Sequence, residues 1–209
     1  MSEELSILMA ARREKLDALR AAGVEPFAYS FDRRNTAQEA VSLAPGDQAG
    51  ESAEEVSVAG RIVSMRAHGK TTFAHLADAS GRVQLYFRRD DLGDVYGHLD
   101  LLDIGDVIGV SGKVFRTRSG EPTVRVARLE ILAKSLRPLP FAKEEVAADG
   151  SVVRHSGFSD PEQRFRQRYA DLAVNPEVRS AFIARARMTS AVRSFLDARG
   201  YLEVETRGL

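Results

Sequence analysis

Residues 71–89 read Thr71-Thr72-Phe73-Ala74-His75-Leu76-Ala77-Asp78, then Ala79-Ser80-Gly81, then Arg82-Val83-Gln84-Leu85-Tyr86-Phe87-Arg88-Arg89. Apolar and polar side chains alternate on both sides of a short glycine-bearing break, the pattern of two half-buried strands joined by a turn. Successive side chains of a strand point to opposite faces. Ala74 and Leu76 therefore form one set in the first strand, and Phe73 and His75 the other. In the second strand Val83, Leu85 and Phe87 point inward, leaving Gln84 and Tyr86 outward.

The same texture continues on either side. VSVAGRIVSMRA begins at Val56, DVIGVSGKVFRT at Asp106 and EPTVRVARLEILA at Glu121, with further turns at His68-Gly69-Lys70 and Arg118-Ser119-Gly120. In the last strand Val124 and Val126 face in, while Thr123 and Arg125 face out and Glu121 stands at the start. Five short strands between residues 56 and 133 indicate a small antiparallel barrel or sandwich, and they fit an oligonucleotide-binding (OB) barrel well. Leu92 to Leu102 has room for a helix between the third and fourth strands.

Helices flank this region. Leu5, Leu8, Met9, Leu16 and Leu19 make a helical stripe over Glu3 to Ala22, and Gly23 sits where such a helix would end. Arg12, Arg13, Lys15 and Arg20 cover much of its other face, as a solvated surface or as contacts to RNA phosphates. Beyond the strands, Leu136-Arg137-Pro138-Leu139-Pro140 favours an extended linker, and Lys143 to Ser159 has no period and reads as loop. Asn175-Pro176 opens a second long helix, with Asn as N-cap and Pro at the first helical position. Val178, Phe182, Ala186, Thr189, Val192 and Leu196 repeat at helical spacing up to Gly200. Tyr201 to Thr206 reads as a strand, and a chain that stops three residues later is expected to be part of something longer. The organisation expected is a helical extension over 1–55, a barrel over 56–135, a linker over 136–160 and the start of an α/β segment over 161–209.

Composition removes several classes of function. There is no cysteine, so disulfides and thiolate metal sites are excluded, and the four histidines, His68, His75, His98 and His155, are scattered. No metal site is expected. No apolar run is long enough for a membrane span, and the N-terminus is charged where a signal peptide would be apolar, so a cytoplasmic protein is expected. Thirty basic and thirty acidic residues cancel, which argues against a protein that blankets nucleic acid. The neutrality averages unlike segments: every charged residue from Thr36 to Glu55 is acidic, whereas arginine dominates from Gln163 to Arg199.

The outward set of the barrel carries the chemistry of single-strand recognition: aromatic planes, a Gln amide, a carboxylate and the guanidinium groups of Arg61 and Arg125. Aromatic rings stack on bases, while amides and carboxylates hydrogen-bond to base edges. A free-standing single-strand binder would carry the same face, and a purely structural or dimerising role would leave that face solvated.

Particular segments add a resemblance. Ala11 to Leu16, Gly23-Val24-Glu25-Pro26-Phe27 and Phe31-Asp32-Arg33-Arg34-Asn35-Thr36-Ala37 resemble the N-terminal extension of bacterial class II lysyl-tRNA synthetases. Gly60-Arg61-Ile62, Gly69-Lys70 with Phe73-Ala74, Gly81 to Tyr86, Leu102 to Val110 and Phe115 to Glu121 resemble their anticodon-binding OB barrel. Leu136 to Pro140 and Arg164-Phe165-Arg166-Gln167-Arg168-Tyr169-Ala170-Asp171-Leu172 follow in the family's order. The helix ending at Gly200, with Tyr201 to Thr206, resembles the first class II motif, although Arg207 stands where the family places a proline. Aspartate and asparagine ligases share the barrel; the N-terminal extension and the Leu136–Pro140 segment favour lysine.

The resemblance implies a mainly β chain with flanking helices: a five-stranded OB-fold barrel preceded by an N-terminal helix and followed by a truncated α/β synthetase segment. It implies that Phe73 stacks on the central anticodon base, that Gln84 and Glu121 hydrogen-bond to anticodon bases, and that Arg61 contacts a base or phosphate. His75, Tyr86 and Arg125 join them by strand parity. Phe182, Val192 and Phe195 become candidates for a dimer interface or core. The implied partners are lysine-accepting tRNA and, in a full-length parent, a second copy. The parent would activate lysine with ATP and Mg2+ and transfer it to tRNA. The motifs that hold ATP are not among these 209 residues, so this chain alone is expected to have no catalytic residue, to bind no cofactor and to be inactive. Arg164, Arg166 and Arg168 are then salt-bridging or tRNA-contacting residues rather than a phosphate clamp.

Overall fold

The alternation of residues 71–89 becomes a hairpin in the computed structural model, which describes residues 3–46, 50–141, 143–146, 152–155 and 158–205. Strands β1 (Val56–His68), β2 (Thr71–Ala77), β3 (Arg82–Arg88), β4 (Val107–Arg116) and β5 (Pro122–Ala133) close into a barrel in the order β1-β2-β3-β5-β4, with β4 returning to β1. The pairing of β3 with β5 is parallel and the other four are antiparallel. Closure gives every barrel strand a neighbour on both sides, although β3 and β5 pair over only Gln84–Tyr86 and Thr123–Arg125, and so reduces the template for edge-to-edge association.

The inward set matches the sequence parity. Ile62, Leu76, Leu85, Ile108, Val110, Val114, Val124 and Val126 are fully buried, with Val83 and Phe87 nearly so. Each such side chain contributes about 1.5–3 kcal/mol through the apolar surface it removes from water. Thr123 points outward as parity requires but is fully buried rather than exposed: it lies beneath the side chain of Gln84, with its hydroxyl 2.7 Å from Gln84 Oε1. At Gly112 the strands approach so closely that an added Cβ would lie 1.9 Å from the Arg125 carbonyl oxygen. Only glycine fits that position.

The stretch expected to be a helix between the third and fourth strands is shorter and tighter than that. It consists of one α-helical turn, α3 (Arg89–Leu92), followed by a 3₁₀ segment, Gly93–Leu101. Gly93 and Gly97 disfavour a continuous α-helix. Leu92, Tyr96, Leu99 and Leu102 join the buried core of the barrel, and Tyr96 Oη lies 3.0 Å from Thr72 Oγ1.

Helix α1 (Glu3–Ala21) ends as the sequence indicates. Gly23 has a φ of 72°, and the bonds from Gly23 N to Arg20 O and from Val24 N to Leu19 O close a Schellman cap. Leu16 and Leu19 are buried, whereas Leu5 and Met9 are half-buried and Leu8 is 48% exposed, so the stripe packs most closely in its C-terminal half. Two of its four basic residues are drawn onto the protein itself. Arg12 donates to the carbonyls of Ser135 (2.7 Å) and Ile104 (2.9 Å), and Lys15 pairs with Asp103 at 2.8 Å. Beneath them Lys134 is completely buried between Asp103 and Asp106, and Asp106 also accepts from the backbone of Asp103 and Ser135. Burial works to raise the Asp103 pKa, but the hydrogen bonds and charges of Lys134 and Lys15 outweigh it and hold it below its ordinary value. Helix α2 (Ala37–Ser42) starts with a capping box between Thr36 and Glu39 and docks on the β2–β3 turn, where Asp78 accepts from Ala37 N at 2.9 Å.

The chain divides into two compact units, Met1–Pro138 and Leu139–Leu209. The first takes in both the barrel and the helical stretch before it. In the second, the loop expected over Lys143 to Ser159 contains an antiparallel pair instead, β6 (Lys143–Val146) with β7 (Val152–His155). Asp149-Gly150 between two short runs is the sequence signal for a hairpin. Helices α4 (Pro161–Arg166), α5 (Arg168–Val174) and α6 (Pro176–Asp197) follow. Asn175 holds the N-cap position of α6 but makes no capping bond; its amide donates to Asp171 at 2.7 Å instead. Residues 201–205 form no strand, contrary to expectation. Among the described residues none offers them a ladder partner, and a lone strand leaves its backbone groups unpaired. Thr206 and Arg207 lie outside the described residues.

Candidate nucleic-acid interface

Cross-strand register assembles the outward residues into two adjacent rows. The first runs Arg66, Phe73, Tyr86, Arg125, Lys113 across all five strands; the second runs Ser64, His75, Gln84, Thr123, Phe115. Residues directly opposite on paired strands share a face and touch. The row of rings and cations therefore lies against a row of hydrogen-bonding groups.

In the first row the Phe73 and Tyr86 rings lie 4.9 Å apart, tilted by 39°, and Phe115 meets Tyr86 edge-on at 5.9 Å. All three are half-buried: supported from below and open above, as a stacking platform requires. In the second row Gln84 Nε2 donates to Glu121 Oε2 at 2.7 Å, and His75 Nε2 lies 2.9 Å from Glu121 Oε1. A carboxylate only accepts hydrogen bonds, so the Gln84 amide must turn its NH2 toward Glu121 and its oxygen toward Thr123. Five of the seven residues singled out from sequence, Phe73, His75, Gln84, Tyr86 and Glu121, thus form one patch.

The two arginines differ. Arg125 lies in the first row, but its guanidinium forms a bidentate pair with Asp91 (2.8 and 2.9 Å) and reaches Glu51 at 3.2 Å. The hydrogen bonds to Asp91 hold its pKa well above the ordinary value and lower that of Asp91. Arg61 stands farther along β1, opposite Ala77, and donates to the Gly105 carbonyl at 2.5 Å. Burial lowers its pKa against the opposing charge of Asp106. Among the described residues no hydrogen bond joins either arginine to the patch of five.

Other cations stand free in their place. Arg66, directly across from Phe73, is exposed, as are Lys70 and Lys113, and no side-chain ion pair engages these three among the described residues. Simple parity misses Arg66, because counting outward from buried Ile62 places residues 64 and 66 inside. A β-bulge between Ile62 and Ser64 resets the count and turns both outward. Phe115 was also missed, although its aromatic side chain in a strand was the available signal.

In the second unit, Arg164 and Arg168 both pair with the buried carboxylate of Asp171, and Arg166 pairs with Glu162 at 2.9 Å. Burial pushes the Asp171 pKa up, but hydrogen bonds from Asn175 and Arg164 and the two arginine charges prevail, and the net shift is downward. Phe182, Val192 and Phe195 lie on α6 and are 43%, 53% and 55% exposed; no α6 residue is buried. Among the described residues no group of three or more histidines or carboxylates could hold a metal ion, and no helix is long and apolar enough to cross a membrane.

Comparison with known proteins agrees with this layout. Residues 56–138 match the OB-fold nucleic acid binding domain, and residues 160–208 match tRNA synthetases class II (D, K and N). The chain is 47% identical over 206 residues to a lysine–tRNA ligase of Carboxydothermus hydrogenoformans, covering 98% of this chain and 39% of that protein. It is 48% identical over 200 residues to one of Moorella thermoacetica (95% and 38%), and 43% identical over 208 residues to one of Bacillus subtilis (98% and 39%). The chain therefore spans about two fifths of the length of these relatives.

Proposed function

The chain belongs to the class II lysine–tRNA ligase family, of which it carries the anticodon-binding OB fold and a class II synthetase segment, and on that premise we propose that its barrel reads the anticodon of lysine-accepting tRNA. The observation that carries this reading is the pair of rows on the outer face, with an aromatic platform beside an amide–carboxylate pair. Phe73 and Tyr86 stack on unpaired anticodon bases, with Phe115 backing Tyr86. Gln84 and Glu121 hydrogen-bond to base edges. Arg66, Lys70 and Lys113 attract the phosphates, whereas Arg61 and Arg125 serve mainly to hold the barrel together.

The protein as a whole activates lysine with ATP and transfers it to the tRNA 3′ end, in the cytoplasm and as a homodimer. The exposed apolar side chains of α6, Phe182, Val192 and Phe195 among them, support an interface with a second copy. The described residues do not themselves fit ATP and Mg2+. They hold no cluster of metal-binding side chains, and Arg164, Arg166 and Arg168 are already paired with carboxylates. The catalytic step is therefore not assigned to them.

Titration with an anticodon stem-loop carrying UUU, against one carrying GUC, at two salt concentrations tests the reading. The expected result is a preference for UUU that Phe73→Ala removes, with a binding loss of about 1–3 kcal/mol for the lost stacking. Equal and steeply salt-dependent binding of both loops would reduce the barrel to a nonspecific single-strand binder.

A further inference from the structure

We propose that His75 does not read a base but aims the Glu121 carboxylate, with Ser64 fixing the imidazole; this rests on the anticodon reading above. The Glu121 backbone is already anchored. Its N–H donates to Thr117 Oγ1 and its carbonyl accepts from Thr117 N, both at 3.1 Å, in the turn between β4 and β5. Its side chain is not anchored by packing, being 43% exposed. What holds the carboxylate is one donor on each oxygen: His75 Nε2 on Oε1 and Gln84 Nε2 on Oε2.

The protonation pattern follows from the partners. Glu121 can only accept, so His75 Nε2 carries a hydrogen. In the neutral ring Nδ1 is then the acceptor, and the Ser64 hydroxyl, 2.8 Å away, donates to it. Both ring nitrogens are thereby occupied, and the imidazole has no polar atom left for a nucleobase. Ser64 reaches this place only because of the bulge in β1. Thr123 fixes Gln84 from the opposite side. Each Glu121 oxygen takes one of these donors, so each keeps further acceptor capacity on a side chain that is 43% exposed. That held acceptor suits a base edge presenting a ring N–H.

The test uses the same two stem-loops. His75→Ala should lower the preference for UUU by about tenfold, the scale of one hydrogen bond to a charged group, while leaving the salt-dependent binding common to both loops. His75→Gln, which returns a donor near the Nε2 position, should keep most of the preference and shows that loss in His75→Ala is not misfolding; unfolding midpoints of each variant check the same point. In a Glu121→Ala background, His75→Ala should change UUU affinity by less than about twofold, because its effect runs through that carboxylate. Retained discrimination in His75→Ala, or a full tenfold loss in the Glu121→Ala background, would overturn the proposal, the latter by showing direct contact with RNA. Equal binding of both loops by the unaltered chain is a different result: it removes the anticodon reading, and this inference with it.

Discussion

Arginine type alone says little about which cation meets RNA; what each guanidinium already touches decides it. Arg125 is spent on Asp91 and Glu51, and Arg61 on a backbone carbonyl, so each would have to give up a protein partner to take a phosphate. Arg66 gives up nothing. Replacing Arg66 with Ala should weaken UUU and GUC loops alike and make the slope of log K against log salt shallower by about 0.7, the share of one phosphate contact on a single strand. Arg61→Ala should leave that slope in place and lower the unfolding midpoint instead. A titration series over salt with both variants separates the two, and an unchanged slope for Arg66→Ala would remove it from the interface.

Among the elements, α1 shows how a helix of modest apolar content is fixed. Its N-terminal half is only partly buried, and its hold depends mainly on Leu16, Leu19 and the ionic clamp of Arg12, Lys15, Asp103, Asp106 and Lys134. The folded-state pKa of Asp103 lies below the unfolded one, ordinarily 3.8, so its stabilising contribution is complete well above that pH and is lost as pH falls through the depressed value. Urea unfolding between pH 7 and pH 3 should therefore show stability declining at the acid end. Lys134→Met, which leaves two carboxylates without their buried partner, should cost about 3–5 kcal/mol at neutral pH and flatten that decline. A variant as stable as the parent at pH 7 would show that the clamp is energetically idle.

At the scale of the whole molecule, the two units are held by different means. The barrel has a continuous buried core and a closed ladder, whereas none of the 22 residues of α6 is buried. Isolated helices draw most of their stability from packing, so the amides of α6 should exchange with solvent far faster than those of β1–β5. Hydrogen exchange at pH 7 checks this, and equal protection in the two would show that a partner copy or another contact shields the helix. The sequence by itself determined the five strands, their inward set and, on the outer face, Phe73, Tyr86, Gln84 and Glu121, though not Phe115, because period-two alternation and glycine-bearing turns are local properties. It also carried the resemblance to class II lysyl-tRNA synthetases, through Gly81 to Tyr86 and Arg164 to Leu172. Only the tertiary structure decided that Thr123 is buried, that Arg66 rather than Arg61 stands beside Phe73, and that both nitrogens of His75 are taken. Those outcomes depend on a bulge that resets parity and on hydrogen-bond partners 11 to 46 residues away. No local pattern encodes either, since a side chain's free valences are fixed by which distant groups the fold brings within 3 Å of it.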